Sequence, residues 1–180
     1  MAAIKTDSSF FSDKVQLRIN HLSDNPVVLD CYAGSGLIWK YAAGITGKKI
    51  KRLPIEQKNI NAFHLPGNNL AYLDTLDLSE FNIIDLDAYG VPYKQLKAIF
   101  NSRFSGVIFV TFIQSIYGCV DYALLQEYGF PKIMIRQSPS LFYKLGFDAF
   151  KNFLAKNGVK KIWLRESGKK RYLAFNWSTV

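Results

Sequence analysis

Apolar residues in this chain fall into short crowded runs separated by polar, glycine-bearing turns, and the spacing within the runs alternates between strand-like and helix-like. Val27-Val28-Leu29 ends on Asp30, and the chain then becomes small at Ala33-Gly34-Ser35-Gly36. This reads as a buried strand delivered into a tight loop, with a helix starting at once over residues 37–43 and closed by Gly44 and Gly47. Residues 49–56 read as a second strand, short or irregular because Pro54 cannot donate to a ladder. A short helix is expected over 57–65, ending before Pro66-Gly67, and a brief third strand over 70–73. Residues 81–87, Phe-Asn-Ile-Ile-Asp-Leu-Asp, form the clearest strand pattern. They lead into a turn at Ala88–Pro92 and a helix carrying Leu96, Ile99 and Phe100. Residues 106–113 are almost continuously apolar, β-branched and aromatic, as in a strand buried on both faces of a parallel sheet.

Beyond Gln114 the pattern loosens, and residues 114–139 read as an insertion able to cover a site. An amphipathic helix is expected over 141–156, ended by Asn157-Gly158. Residues 159–165 and 171–177 then form two strands joined by a hairpin turn. The order predicts an α/β fold: a mostly parallel, Rossmann-like, seven-stranded sheet with helices on both faces and an antiparallel C-terminal hairpin strand. Residues 1–25 read as an extension packing on a single domain of residues 26–180, as a strand or short helix with Lys14 and Arg18 near its surface.

Composition narrows the partners. The chain has 180 residues, 49% hydrophobic and 21% charged, enough for a real core. No run approaches the length of a membrane span, and the first residues lack the apolar centre of a signal peptide, so a cytoplasmic protein with no membrane partner is expected. Cys31 and Cys119, with His21 and His64, offer neither a disulfide framework nor metal-ligand spacing. The net charge of +9 is gathered at Lys48-Lys49-Lys51-Arg52, Lys160-Lys161 and Lys169-Lys170-Arg171. That pattern suits a polyanion, nucleic acid first, or a surface kept soluble by charge.

The Gly34-Ser35-Gly36 turn alone fits a ligand cradle or an ordinary tight turn. A dinucleotide fingerprint would need a third glycine where Trp39 stands, which argues against that cofactor. Asp85 and Asp87 alternate with Ile84 and Leu86 and so share one face of their strand. Asp87 and Tyr89 fall at its carboxyl end, where α/β sheets place ligands.

Read together, strand, glycine loop and helix, with acids after the following strands and a closing hairpin, resemble class I S-adenosylmethionine-dependent methyltransferases from about Val27 to Trp177. The resemblance implies S-adenosylmethionine as cofactor. It places Asp30, Gly34 and Gly36 in the first-loop motif beside the methionine portion, Glu56 on the ribose hydroxyls, and Asp74, or else Asp77, near the adenine. Asp85 is assigned to the cofactor side as well, or to a structural role, and Tyr32 to the cofactor or the sheet edge. The segment Asp85-Leu86-Asp87-Ala88-Tyr89-Gly90-Val91-Pro92 resembles the Asp-x-Asp-Pro-Phe/Tyr-Gly-x-Pro segment of tRNA guanine-N2 dimethyltransferases, with Ala88 in place of the usual proline.

The implied activity is methylation of an exocyclic amine on a nucleic-acid base, in RNA ahead of DNA. Asp87 would hold the amine and Tyr89 would stack on the base as catalytic residues, with no metal required. Two alternatives stand beside it: a small-molecule or protein methyltransferase, and a non-catalytic cofactor-binding subunit. A chain little longer than a catalytic core favours the first of these alternatives, and a partner subunit for substrate recognition is a further expectation.

Overall fold

The computed structural model describes residues 10–57, 63–114, 122–138, 140–168 and 170–179. In chain order the elements are α1 (Phe11–Asn20), β1 (Val27–Asp30), α2 (Leu37–Thr46), β2 (Lys51–Glu56), β3 (Leu65–Pro66), α3 (Asn69–Thr75), a 3-10 turn at Leu78–Glu80 and β4 (Ile83–Leu86). There follow α4 (Tyr93–Phe100), β5 (Ser105–Ile113), α5 (Tyr122–Glu127), α6 (Lys132–Gln137), α7 (Leu141–Lys156), β6 (Trp163–Ser167) and β7 (Lys170–Ser178). The strands form one seven-stranded sheet in the order β3-β2-β1-β4-β5-β7-β6. Strands β1 to β5 pair in parallel, and β7 runs antiparallel to both β5 and β6. The sheet is therefore the mixed α/β arrangement that the alternation of periods predicts.

Two apolar layers flank it. On one face Val28, Ile83 and Phe109 meet Leu17 of α1 and Trp39 and Ala42 of α2. On the other, Leu29, Ile84 and Ile108 meet Leu73, Leu96 and the phenylalanines of α7, with Phe150 stacked on Phe112 at a centroid distance of 4.8 Å. Central strands buried on both faces must be apolar throughout, which is why β5 is so legible in the sequence. Among the described residues, no helix is long and apolar enough to cross a membrane.

Three expectations need correction. Residues 70–73 lie in helix α3, whose start is capped by the Asn68 side chain accepting from Leu70 N–H, and the third strand is the two-residue β3. Helix α1 does not leave Arg18 at the surface, since the residue is 1% exposed. Strand β2 is regular over six residues despite Pro54, because β3 first pairs at Ile55 and the ladder on that side asks no N–H of Pro54. The short helix expected over 57–65 falls partly outside the described residues, and its end at Leu65 is strand.

Candidate active site

The carboxyl ends of β1, β4 and β5 open onto a cavity of about 480 Å3, within the range of small-ligand pockets. Its first wall is the turn after β1. Gly34 and Gly36 both adopt left-handed backbone, at φ 51° and 70°, which a side chain would strain. Gly36 also serves as the N-cap of α2, and a Cβ there would run into the Arg52 guanidinium. The turn is tied to β2 by Gly34 N–H donating to Glu56 Oε2 at 2.9 Å and Ala33 N–H donating to the Ile55 carbonyl at 3.1 Å. Glu56 thus stands at the end of the second strand, directly against the loop. Tyr32, Ala33, Ser35 and Leu37 complete this wall.

The floor is ionic. Asp30, at the end of β1, is buried and receives Arg52 Nη1 at 3.2 Å. Burial, reinforced by the Asp85 charge, pushes its carboxyl up to about 8. One strand over, Asp85 is gripped from two helices: Arg18 donates Nε and Nη2 to its two oxygens at 2.9 and 2.7 Å, and Trp39 Nε1 donates at 2.9 Å. Burial raises the Asp85 carboxyl while the Arg18 fork pulls the other way. Arg18 also donates to the Lys14 carbonyl at 3.1 Å and lies over the Phe109 ring, so it fastens α1 to the sheet. The Asp85 carboxylate is thereby committed to protein donors.

Asp87, just past the end of β4, faces the cavity differently. Lys14 Nζ lies 2.8 Å from each of its oxygens, and the Thr111 hydroxyl donates to Oδ1. Burial would raise this carboxyl, but Arg18, Lys14 and Thr111 outweigh it and hold the pKa below the ordinary value. Tyr89 stands two residues on, with its ring 95% exposed at the rim. Phe11, Lys170 and Tyr172 close the opposite side.

Asp30, Gly34, Gly36, Asp85, Asp87 and Tyr89 therefore meet in one cavity, and Glu56 braces its loop. Asp74 does not join them. It is exposed on α3, because the segment expected as strand is helix, and the residues that do follow β3 are Gly67, Asn68 and Asn69. Asp77 is exposed as well and caps the 3-10 turn through Ser79 N–H. None of the described residues of the 114–139 segment lines the cavity; Gln114 instead donates to the Phe142 carbonyl at the start of α7.

Sequence reasoning missed Lys14, Arg18, Trp39, Arg52 and Thr111 as site residues. One signal was present: Phe11, Val15, Arg18 and Leu22 are spaced as an apolar helical stripe, and an arginine fills one of its positions. The basic clusters divide. Lys170 reaches the cavity, whereas Lys48, Lys49 and Lys51 precede or begin β2 and Lys160-Lys161 precede β6, at the opposite end of the sheet.

Solved structures share this architecture. A candidate S-adenosyl-L-methionine-dependent methyltransferase from Methanococcus maripaludis superposes with a TM-score of 0.55 at 11% identity, over 96% of this chain and 89% of that one. Human N-acetylserotonin methyltransferase in complex with SAM gives 0.54 at 15% identity, over 96% of this chain and 52% of the other. The fold is that of S-adenosylmethionine-dependent methyltransferases. A candidate exported protein from Bordetella parapertussis gives 0.60 at 10% identity, over 94% of this chain and 67% of its own. The chain thus spans about half the length of the human enzyme. No protein-family model and no curated protein matches the sequence.

Proposed function

We propose that this chain is an S-adenosylmethionine-dependent methyltransferase whose acceptor is an exocyclic amine of a nucleic-acid base, RNA ahead of DNA. The observation that carries the reading is a single cavity with the Gly34–Gly36 loop on one side and the Asp87 carboxylate on the other. The residues present fit the cofactor. Two left-handed glycines let backbone approach a ligand closely, and Glu56 braces that loop through Gly34 N–H, in the corner that the resemblance sets beside the methionine portion and the ribose.

When bound, S-adenosylmethionine would supply a methyl group on positive sulfur: the N–C bond forms as the C–S bond breaks, a neutral thioether is left, and one proton of the nitrogen goes to solvent. The chain's own contribution is orientation. An exocyclic amine is a weak nucleophile because its lone pair is delocalised into the ring, and Asp87 can accept one of its N–H bonds and turn the nitrogen toward the loop. Alignment of this kind lowers barriers by about 7–11 kcal/mol in favourable cases. Since its pKa is held down, Asp87 is a poor proton sink and serves to position the amine. Tyr89 offers an open ring face for a base taken out of its stack, a contact worth about 1–3 kcal/mol. The net charge of +9 supports a polyanionic acceptor.

A second reading, a small-molecule acceptor, is favoured by one observation: Lys48, Lys49, Lys51, Lys160 and Lys161 lie toward the far end of the sheet, away from the cavity. Calorimetry with S-adenosylmethionine tests the cofactor, and absence of binding at millimolar concentration rejects both readings. Transfer of labelled methyl to bulk RNA, DNA or a metabolite extract separates them.

A further inference from the structure

The contacts at Asp87 leave a specific pair of hydrogen-bonding positions unspent. An ammonium has three N–H donors and a carboxylate about four acceptor positions, two on each oxygen. Lys14 Nζ spends two donors, one on each Asp87 oxygen at 2.8 Å. The Thr111 hydroxyl takes the second position on Oδ1. What remains by this count is one acceptor position on Asp87 Oδ2 and one donor on Lys14 Nζ, on atoms 2.8 Å apart in two residues that both line the cavity. Lys14 is held in place by the Tyr172 ring 5.1 Å from its Nζ and by the Arg18 contact to its carbonyl, and its side chain is 20% exposed.

A wall that presents an acceptor next to a donor fits a ligand edge that presents a donor next to an acceptor. We propose that Lys14 and Asp87 together read such an amidine edge, so that the base methylated is adenine or cytosine and not guanine. This rests on the nucleobase reading of the site. Adenine places its N6 amine beside N1, and cytosine its N4 amine beside N3: in each an N–H adjoins a lone pair. Guanine places its N2 amine beside N1–H, two donors in a row, and the second would face the Lys14 ammonium. The acceptor on the other flank of that amine, N3, is crowded by the ribose. Discrimination by one bidentate base contact amounts to about tenfold or more. A carboxamide side chain has the same donor–acceptor pair but no ring to lie on the Tyr89 face, which stands exposed beside the site.

The test uses the full chain with methyl-labelled S-adenosylmethionine, four homopolymer RNAs and bulk RNA, each digested to nucleosides afterwards. Label is expected on adenosine or cytidine at about tenfold or more over guanosine. Anisotropy of labelled homopolymers, read with the demethylated cofactor product present, is expected to show the same order without turnover. Lys14→Met is expected to erase the preference by weakening adenine or cytosine, with cofactor affinity unchanged by calorimetry. Lys14→Arg, which keeps the charge and a donor, is expected to retain the preference, and it guards against a Lys14→Met protein that fails to fold. Label on guanosine at or above the other bases overturns the edge reading and leaves amine methylation standing. Label on carboxamide peptides alone, or on no nucleic acid while cofactor binds, overturns it together with the nucleobase acceptor.

Discussion

The two walls of the cavity are made in different ways. The loop wall is local: Asp30, Gly34, Gly36 and Glu56 come from two neighbouring strands in register, with Asp30 opposite Pro54, and the wall depends on backbone conformation. The acceptor wall is assembled from afar. Asp87 is held by Lys14, 73 positions earlier, and Asp85 by Arg18, 67 positions earlier. It depends on buried charges finding each other, and a buried charge left alone is costly in a way that a strained glycine turn is not.

That asymmetry predicts an order of effects. Arg18→Met strands Asp85 beside Asp30 and Asp87 and is expected to cost about 3–5 kcal/mol in urea unfolding. Adding Asp85→Leu is expected to recover most of the loss, and an Arg18→Met protein as stable as the parent would break the contrast between the walls. Asp87→Asn is expected to lower methyl transfer by about a hundredfold through misplacement of the acceptor, with cofactor affinity unchanged by calorimetry. Gly36→Ala forces a side chain into left-handed backbone, at about 1–2 kcal/mol, and displaces Arg52. Its signature is the converse: weaker cofactor binding, with the Lys14–Asp87 pair intact.

A pH dependence completes the series. Asp30 binds its proton more tightly when folded, with a pKa of about 8, so its contribution to stability is full below the ordinary carboxylate range and is lost as pH rises through about 8. Urea midpoints measured from pH 5 to 9 should fall accordingly, and Asp30→Asn should flatten that slope.

The parts of the molecule that read well from sequence carry their cause locally. Strand β5 is apolar because both its faces are covered, and the first loop shows its left-handed turns as glycines. Strand β3 escapes the sequence because two residues at a sheet edge have no period, and the apolar residues 70–73 alone suggest strand where helix 69–75 stands. Asp74 was misplaced as a consequence. Asp87 and Tyr89 could be put at the mouth from the end of their strand, but the partners of Asp85 and Asp87 could not. Ion pairing between residues some seventy positions apart leaves no periodic trace, and only the arginine within the Phe11–Leu22 stripe hinted at it.

The grip of Arg18 on Asp85 also bears on how the chain is made. Synthesis delivers α1 before β4, with its guanidinium aimed at a surface that does not yet exist, and 67 positions must follow before the carboxylate that neutralises it emerges. Contacts of such long separation close late and slow folding. Helix α1, made before the strand that holds it, is thus among the last elements to be secured. Until β4 is in place the nascent chain carries an amphipathic segment with a positive charge in its apolar stripe, and burying that stripe without Asp85 would leave the charge unpaired.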